Sequence, residues 1–119
     1  MAITSFQDLL VWQKAHQLTL LTYRLVSKFP KHEEYGLASQ MRRSSSSIPS
    51  NIAEGFKRKG LKDSIRFYNI AEGSLEELKY QLILSKDLEY ISTEEFDKIF
   101  RECESVGGLL NNWKKSQHY

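Results

Sequence analysis

The sequence has one cysteine, two prolines, six glycines and three histidines among 119 residues. A lone Cys103 excludes an intramolecular disulfide and fits a reducing cytoplasm, the expected location. Its neighbours put Cys103 on an apolar helix face, where it reads as a small buried hydrophobe rather than a reactive thiol. His16, His32 and His118 are scattered, without metal-ligand spacing or a Glu-x-x-His pair, which argues against a di-iron bundle. The glycines form neither standard phosphate loop. No apolar run reaches about 18 residues, so no membrane span is expected. The opening MAITSFQDLL has no basic region ahead of an apolar one and does not read as a secretory signal. Four serines at positions 44–47 offer hydroxyls but no base at a motif spacing. Such runs are far more often caps, kinks and loops than nucleophiles. Neither catalysis nor a bound metal or cofactor is expected.

What is present is an ordinary soluble composition, 40% hydrophobic and 27% charged, of a length that reads as one domain over residues 1–119. The net charge of +2 is unevenly spread. Residues 57–66 (KRKGLKDSIR) carry five basic side chains and one acidic. Residues 67–119 carry six basic and ten acidic. A basic segment in a nearly neutral chain can be an anion or nucleic-acid footprint. The alternative is a solvated helix start, which composition alone favours.

Hydrophobic spacing predicts four helices, at about 6–29, 34–58, 61–88 and 93–114. The first has the stripe Val11, Ala15, Leu18, Thr22, Leu25, Val26 and Phe29. Leu10 and Leu21 lie on one flank and Trp12 and Tyr23 on the other. That apolar surface is wider than one neighbouring helix needs, so part of it is expected to contact another subunit. Ser5 with Asp8 is a loose capping signal, and Pro30 ends the helix. The third helix runs Ser64, Tyr68, Ala71, Leu75, Leu78, Leu82, with small Ala71, Gly73 and Ser74 allowing close approach. The fourth starts at a capping box, Ser92 to Glu95, and continues Phe96, Ile99, Cys103, Val106, Leu110, Trp113. Its last residues are expected to fray. Short links and no strand alternation read as an all-α, up-down-up-down four-helix bundle.

The second helix is the unusual one. Leu37, Met41, Ser45, Ile48, Ile52 and Phe56 keep helical spacing, yet Pro49 interrupts them, and an interior proline costs about 3 kcal/mol. Two readings exist: two helices with Pro49 in the first turn of the second, or one helix kinked at Pro49. The unbroken phase favours the kinked helix. The carbonyl of Ser45 then lacks its donor, and hydroxyls of Ser45, Ser46 and Ser47, or a water, are expected to satisfy groups freed near the kink. Arg42 and Arg43 point about 100° apart. At least one is expected in an ion pair with Glu54 or an acid of the third helix; the other could face a phosphate. Gln40, Asn51 and Glu54 fall near the apolar stripe, and with Trp12 they are expected at a subunit contact or in a structural polar network. For Lys57, Arg58, Lys59, Lys62 and Arg66, nucleic-acid contact and plain solvation stand level.

Several runs resemble a known family. Phe6, Leu9, Val11, Trp12, Lys14 and Ala15 are similar to the opening of the four-helix-bundle proteins encoded in intervening sequences of 23S ribosomal RNA genes. So are Phe29-Pro30, Glu34, Tyr35-Gly36-Leu37, Gln40 and Arg42-Arg43. The strongest likeness is Gln40 and Arg42-Arg43 followed by Ser47-Ile48-Pro49-Ser50-Asn51-Ile52-Ala53-Glu54-Gly55, with Ile70-Ala71-Glu72-Gly73-Ser74-Leu75-Glu76-Glu77-Leu78 behind it. The likeness covers about residues 6–90. The chain departs at Ser44 and Ser45, where small apolar residues are expected. The resemblance implies a homopentameric ring. Nucleic-acid binding has been suspected for members, most of which have no assigned activity. Accessory proteins of diversity-generating retroelements are similar in fold, form such rings and bind a reverse transcriptase and nucleic acid. The expected function is therefore non-enzymatic binding of RNA or DNA through phosphate contacts of Arg42, Arg43, Lys57, Arg58, Lys59, Lys62 and Arg66. The alternative is a scaffold that recruits a protein partner, such as a reverse transcriptase, without touching nucleic acid.

Overall fold

The computed structural model describes residues 2–117; His118 and Tyr119, the end of the tail expected to fray, lie outside it. Its α-helices are α1 (Leu10–Val26), α2 (Leu37–Lys57), α3 (Leu61–Asp87) and α4 (Thr93–Lys115). The described residues contain no strand. Helices α1 and α3 each pack on both α2 and α4. The body measures 46 × 25 × 20 Å, the length set by α3, whose 27 residues span about 40 Å at 1.5 Å per residue. No helix among the described residues is long and apolar enough to cross a membrane.

The start of the first helix differs from expectation. Ser5 Oγ accepts from the Gln7 N–H at 3.2 Å, and Asp8 Oδ2 accepts from the Ser5 and Thr4 N–H groups at 3.1 and 3.0 Å. This cap closes only one 3-10 turn, Phe6–Asp8. Leu9 is then extended and buried, and α1 begins at Leu10. A continuous helix from residue 6 would leave the Leu9 side chain off the core stripe; the break turns it in. The other end stops at Val26, not Phe29. The seven stripe residues named from the sequence are all buried.

The second helix begins three residues later than its spacing suggests, because Lys31–Glu33 forms a separate 3-10 turn. Glu33 joins the two. Its Oε1 accepts from the first α2 N–H, that of Leu37, at 3.0 Å, and its Oε2 accepts from Tyr90 Oη at 2.8 Å. An acceptor there satisfies a donor that the helix leaves open. The Leu37 N–H, then the Tyr90 hydroxyl, hold the Glu33 carboxyl below the usual carboxylate range.

α2 runs through Pro49 as one helix. Its freed carbonyl, that of Ser45, accepts from Thr19 Oγ1 of α1 at 2.9 Å. This corrects the expectation that the serines serve the break. The Ser45 and Ser46 hydroxyls instead donate one turn back, to the Arg42 and Arg43 carbonyls. Ser44 donates to Gln81 Oε1 of α3 at 2.6 Å. Ser44 and Ser45 are both buried, so hydrogen-bonded hydroxyls occupy the positions where small apolar side chains were expected.

Gly55 sets how closely α2 and α3 approach. A Cβ there would lie 2.5 Å from Cε1 of the buried Tyr68 ring. Gly73, one of the small residues expected at a helix contact, faces open space, whereas Ala71 is buried and Ser74 bonds Ser47. α3 ends with Glu89 in the left-handed region at φ 64°. The Tyr90 N–H reaches the Ser85 carbonyl and the Glu89 N–H the Lys86 carbonyl, each at 2.9 Å, the double bond pattern of a left-handed helix terminus. The capping box of α4 is present, with the Glu95 N–H donating to Ser92 Oγ at 3.0 Å and Glu95 Oε1 accepting from the Ser92 N–H at 2.9 Å. Lys28, in the turn just past α1, pairs with Glu95 and ties the start of α4 to the end of the first helix.

Candidate nucleic-acid interface

The seven basic residues singled out from the sequence divide into three groups. Arg42 is half-buried. Its Nη2 donates to the Glu34 carbonyl at 3.0 Å and pairs with Glu34 Oε1 at 3.3 Å. It anchors the link before α2, and its acid is Glu34 rather than Glu54 or an acid of α3. Arg43 points elsewhere, is exposed and donates to Ser39 Oγ at 3.0 Å. The adjacent arginines thus serve different surfaces, as helical geometry requires.

The other five gather at the α2–α3 turn. Arg58 pairs with Glu54 at 2.6 Å and more loosely with Asp63 at 3.8 Å. Arg66 pairs with Asp63 at 2.9 Å. Both guanidinium carbons lie 4.6 Å from the centre of the Phe67 ring. Two arginines are therefore largely compensated in charge and held against one aromatic ring, a favourable cation–π arrangement. Lys57, Lys59 and Lys62 are exposed and form no ion pair among the described residues. The turn thus presents three lysines as its uncompensated positive charge. Phe67 is half-buried on α3, and its place against two arginines depends on Arg58 folding back across Gly60.

Beside the turn lies an open groove of about 840 Å³. Ile65 and Ile70 line it, together with Lys62, Asp63, Arg66 and Asn69.

The residues expected at a subunit contact do not form one network within the chain. Trp12 is half-buried, edge-on to Phe6 and stacked on His16. Gln40 is exposed. Asn51 Nδ2 donates to the Ser47 carbonyl at 2.8 Å and to Ser47 Oγ at 3.0 Å, and Ser74 Oγ of α3 donates to the same Ser47 Oγ at 2.8 Å. Asn51 is thus part of an α2–α3 polar contact, while Glu54 belongs with Arg58. Sequence reasoning missed Thr19 and Gln81, both buried and hydrogen-bonded to α2. Only the proline-freed carbonyl could have hinted at Thr19.

Burial pushes the Cys103 thiol up to about 12, so it stays protonated. Among the described residues no three His, Cys, Asp or Glu side chains are placed to hold a metal ion.

Fold and site together define a small all-α protein of four long helices with a basic turn between the second and third. The chain belongs to the 23S rRNA-intervening sequence protein family, whose model matches residues 7–112. A comparison with curated proteins found no match. Among solved structures it is similar to a protein of unknown function from the S23 ribosomal protein family of Bacteroides thetaiotaomicron. The TM-score is 0.80 at 26% identity, covering 90% of this chain and all of the other.

Proposed function

We propose that this chain is a non-enzymatic, cytoplasmic nucleic-acid-binding protein that works as a ring of four-helix bundles, its helices running up-down-up-down and α2 kinked at Pro49. The observation that carries the binding reading is the cluster Lys57, Lys59 and Lys62, exposed at one turn without acidic partners among the described residues. Arg58 and Arg66 are already paired, so phosphate contact falls chiefly to the lysines. Arg42 is withdrawn from the binding surface, because Glu34 and its carbonyl hold it. Arg43 is a secondary contact at most. Repetition around a ring multiplies the three-lysine patch and compensates for its small size. Such contacts are to phosphate, so binding is weakly sequence-dependent and falls with salt.

The test is fluorescence anisotropy of labelled RNA and DNA over a range of salt, comparing the protein with the Lys57→Gln/Lys59→Gln/Lys62→Gln variant. The variant should bind more weakly and lose roughly two to three units of log–log salt slope per protomer engaged. Unchanged affinity and slope would remove the lysines from the site. Capture of a defined protein partner by this turn after nuclease treatment, with no oligonucleotide bound, would turn the reading to a scaffold.

A further inference from the structure

We infer that the ligand of the α2–α3 turn is single-stranded nucleic acid, gripped by its bases as well as its phosphates; this rests on the nucleic-acid reading above. Two observations beyond the lysines carry it. The first is the groove beside them, lined by Ile65 and Ile70, the latter 42% exposed. A duplex presents phosphates outward and keeps its base faces stacked inside, so it has no use for an apolar groove next to a cationic edge. A single strand has unstacked bases whose faces seek such a surface.

The second is the state of the two arginines. Their charges are met by Glu54 and Asp63, at 2.6 and 2.9 Å, so they add little attraction for phosphate. What remains is the flat guanidinium. Phe67 backs both of them at 4.6 Å, and 62% of the Arg66 side chain stays exposed. An arginine set against a ring and paired with a carboxylate has less side-chain freedom left to lose, and a guanidinium plane is a platform on which a base can stack. Arg66 also lines the groove with Lys62. Charge, platform and apolar floor therefore sit together: lysines for the backbone, Arg66 and Ile70 for a base.

The experiment measures binding of the full chain to single-stranded RNA, single-stranded DNA, and duplexes of each, at equal length and one salt concentration. Single strands of both kinds should bind at least about tenfold more tightly than their duplexes, the scale of one or two stacked bases. Arg66→Lys keeps the charge and removes the plane; Ile70→Ser removes apolar surface at an exposed site. Each should erase most of the single-strand advantage, with thermal unfolding confirming that the variants fold. Duplexes bound as tightly as single strands would overturn the inference and leave the nucleic-acid reading standing. So would both variants retaining the full advantage. No binding to any of the four probes would overturn both.

Discussion

Single residues at the centre of the bundle settle how α2 carries a proline. The Ser45 carbonyl has no donor in its own helix, and Thr19 supplies one from α1 at 2.9 Å. Thr19→Val keeps the shape and leaves that buried carbonyl alone, so urea unfolding should show a loss of about 1–3 kcal/mol. Thr19→Ser should recover most of it. Gly55 gives a second residue-scale test, because its sign runs against propensity. In an open helix interior, Gly→Ala gains about 1 kcal/mol. At Gly73, where nothing lies within 4 Å of an added Cβ, that gain is expected for the isolated protomer. At Gly55 the added Cβ would meet the Tyr68 ring at 2.5 Å, so Gly55→Ala should destabilise by about 1–3 kcal/mol. Measuring both variants together separates packing from propensity. Neither sign is legible in the sequence, where Gly73 reads as a close-contact residue and nothing marks Gly55 as the one that touches a ring. The partner that decides Gly55 lies on another helix, and the freedom of Gly73 comes from the helix face it occupies.

At the scale of elements, sequence reading and structure agree on the helical interiors and on the starts of α3 and α4, and differ at the starts of α1 and α2 and at the end of α1. Core stripes follow from period alone, because a helix repeats its faces every 3.6 residues. Where a helix begins depends on which group accepts its first N–H bonds, and that acceptor can come from outside the helix. Glu33 shows this: it lies before α2, accepts from Leu37, and is itself held by Tyr90 beyond α3. The carboxyl is depressed below its ordinary value of 4.5, first by the Leu37 N–H and then by the Tyr90 hydroxyl. A depressed acid contributes stability that is fully present above its unfolded value. That stability is lost as pH falls through the lower, folded value. Stability should therefore decline below about pH 4.5, and Glu33→Gln should remove part of that decline. Denaturation midpoints of the two proteins, followed from neutral pH into acid, check it; parallel curves would show that Glu33 does not report on the α2 start. Asp8, depressed first by the Thr4 N–H and also by that of Ser5, should contribute in the same direction at the cap of the Phe6–Asp8 turn.

For the whole molecule, the proposed ring makes a demand that α1 meets. A ring needs two different surfaces on each protomer, one contacting the next copy and one the previous. The core stripe of α1 is buried, and apolar side chains remain on both its flanks, Leu10 at 55% exposure on one and Tyr23 at 45% on the other. In light scattering the protein should exceed its protomer mass of 13.9 kDa several-fold, and Leu10→Glu should reduce it toward that mass without unfolding the bundle. A native protein that runs as a monomer at micromolar concentration would contradict the ring. The sequence by itself determined four helices, their core faces, the capping box at Ser92 to Glu95 and the basic segment at residues 57–66, because each is a pattern local in the chain. Only the tertiary structure decided which charges in that segment remain available. Arg58 and Arg66 meet Glu54, Asp63 and Phe67 where the chain doubles back at Gly60, and Arg42 meets Glu34, leaving three lysines beside an apolar groove. Charge is a property of a residue, but its compensation is a property of distance, and distance across a turn or between helices is fixed only by the fold.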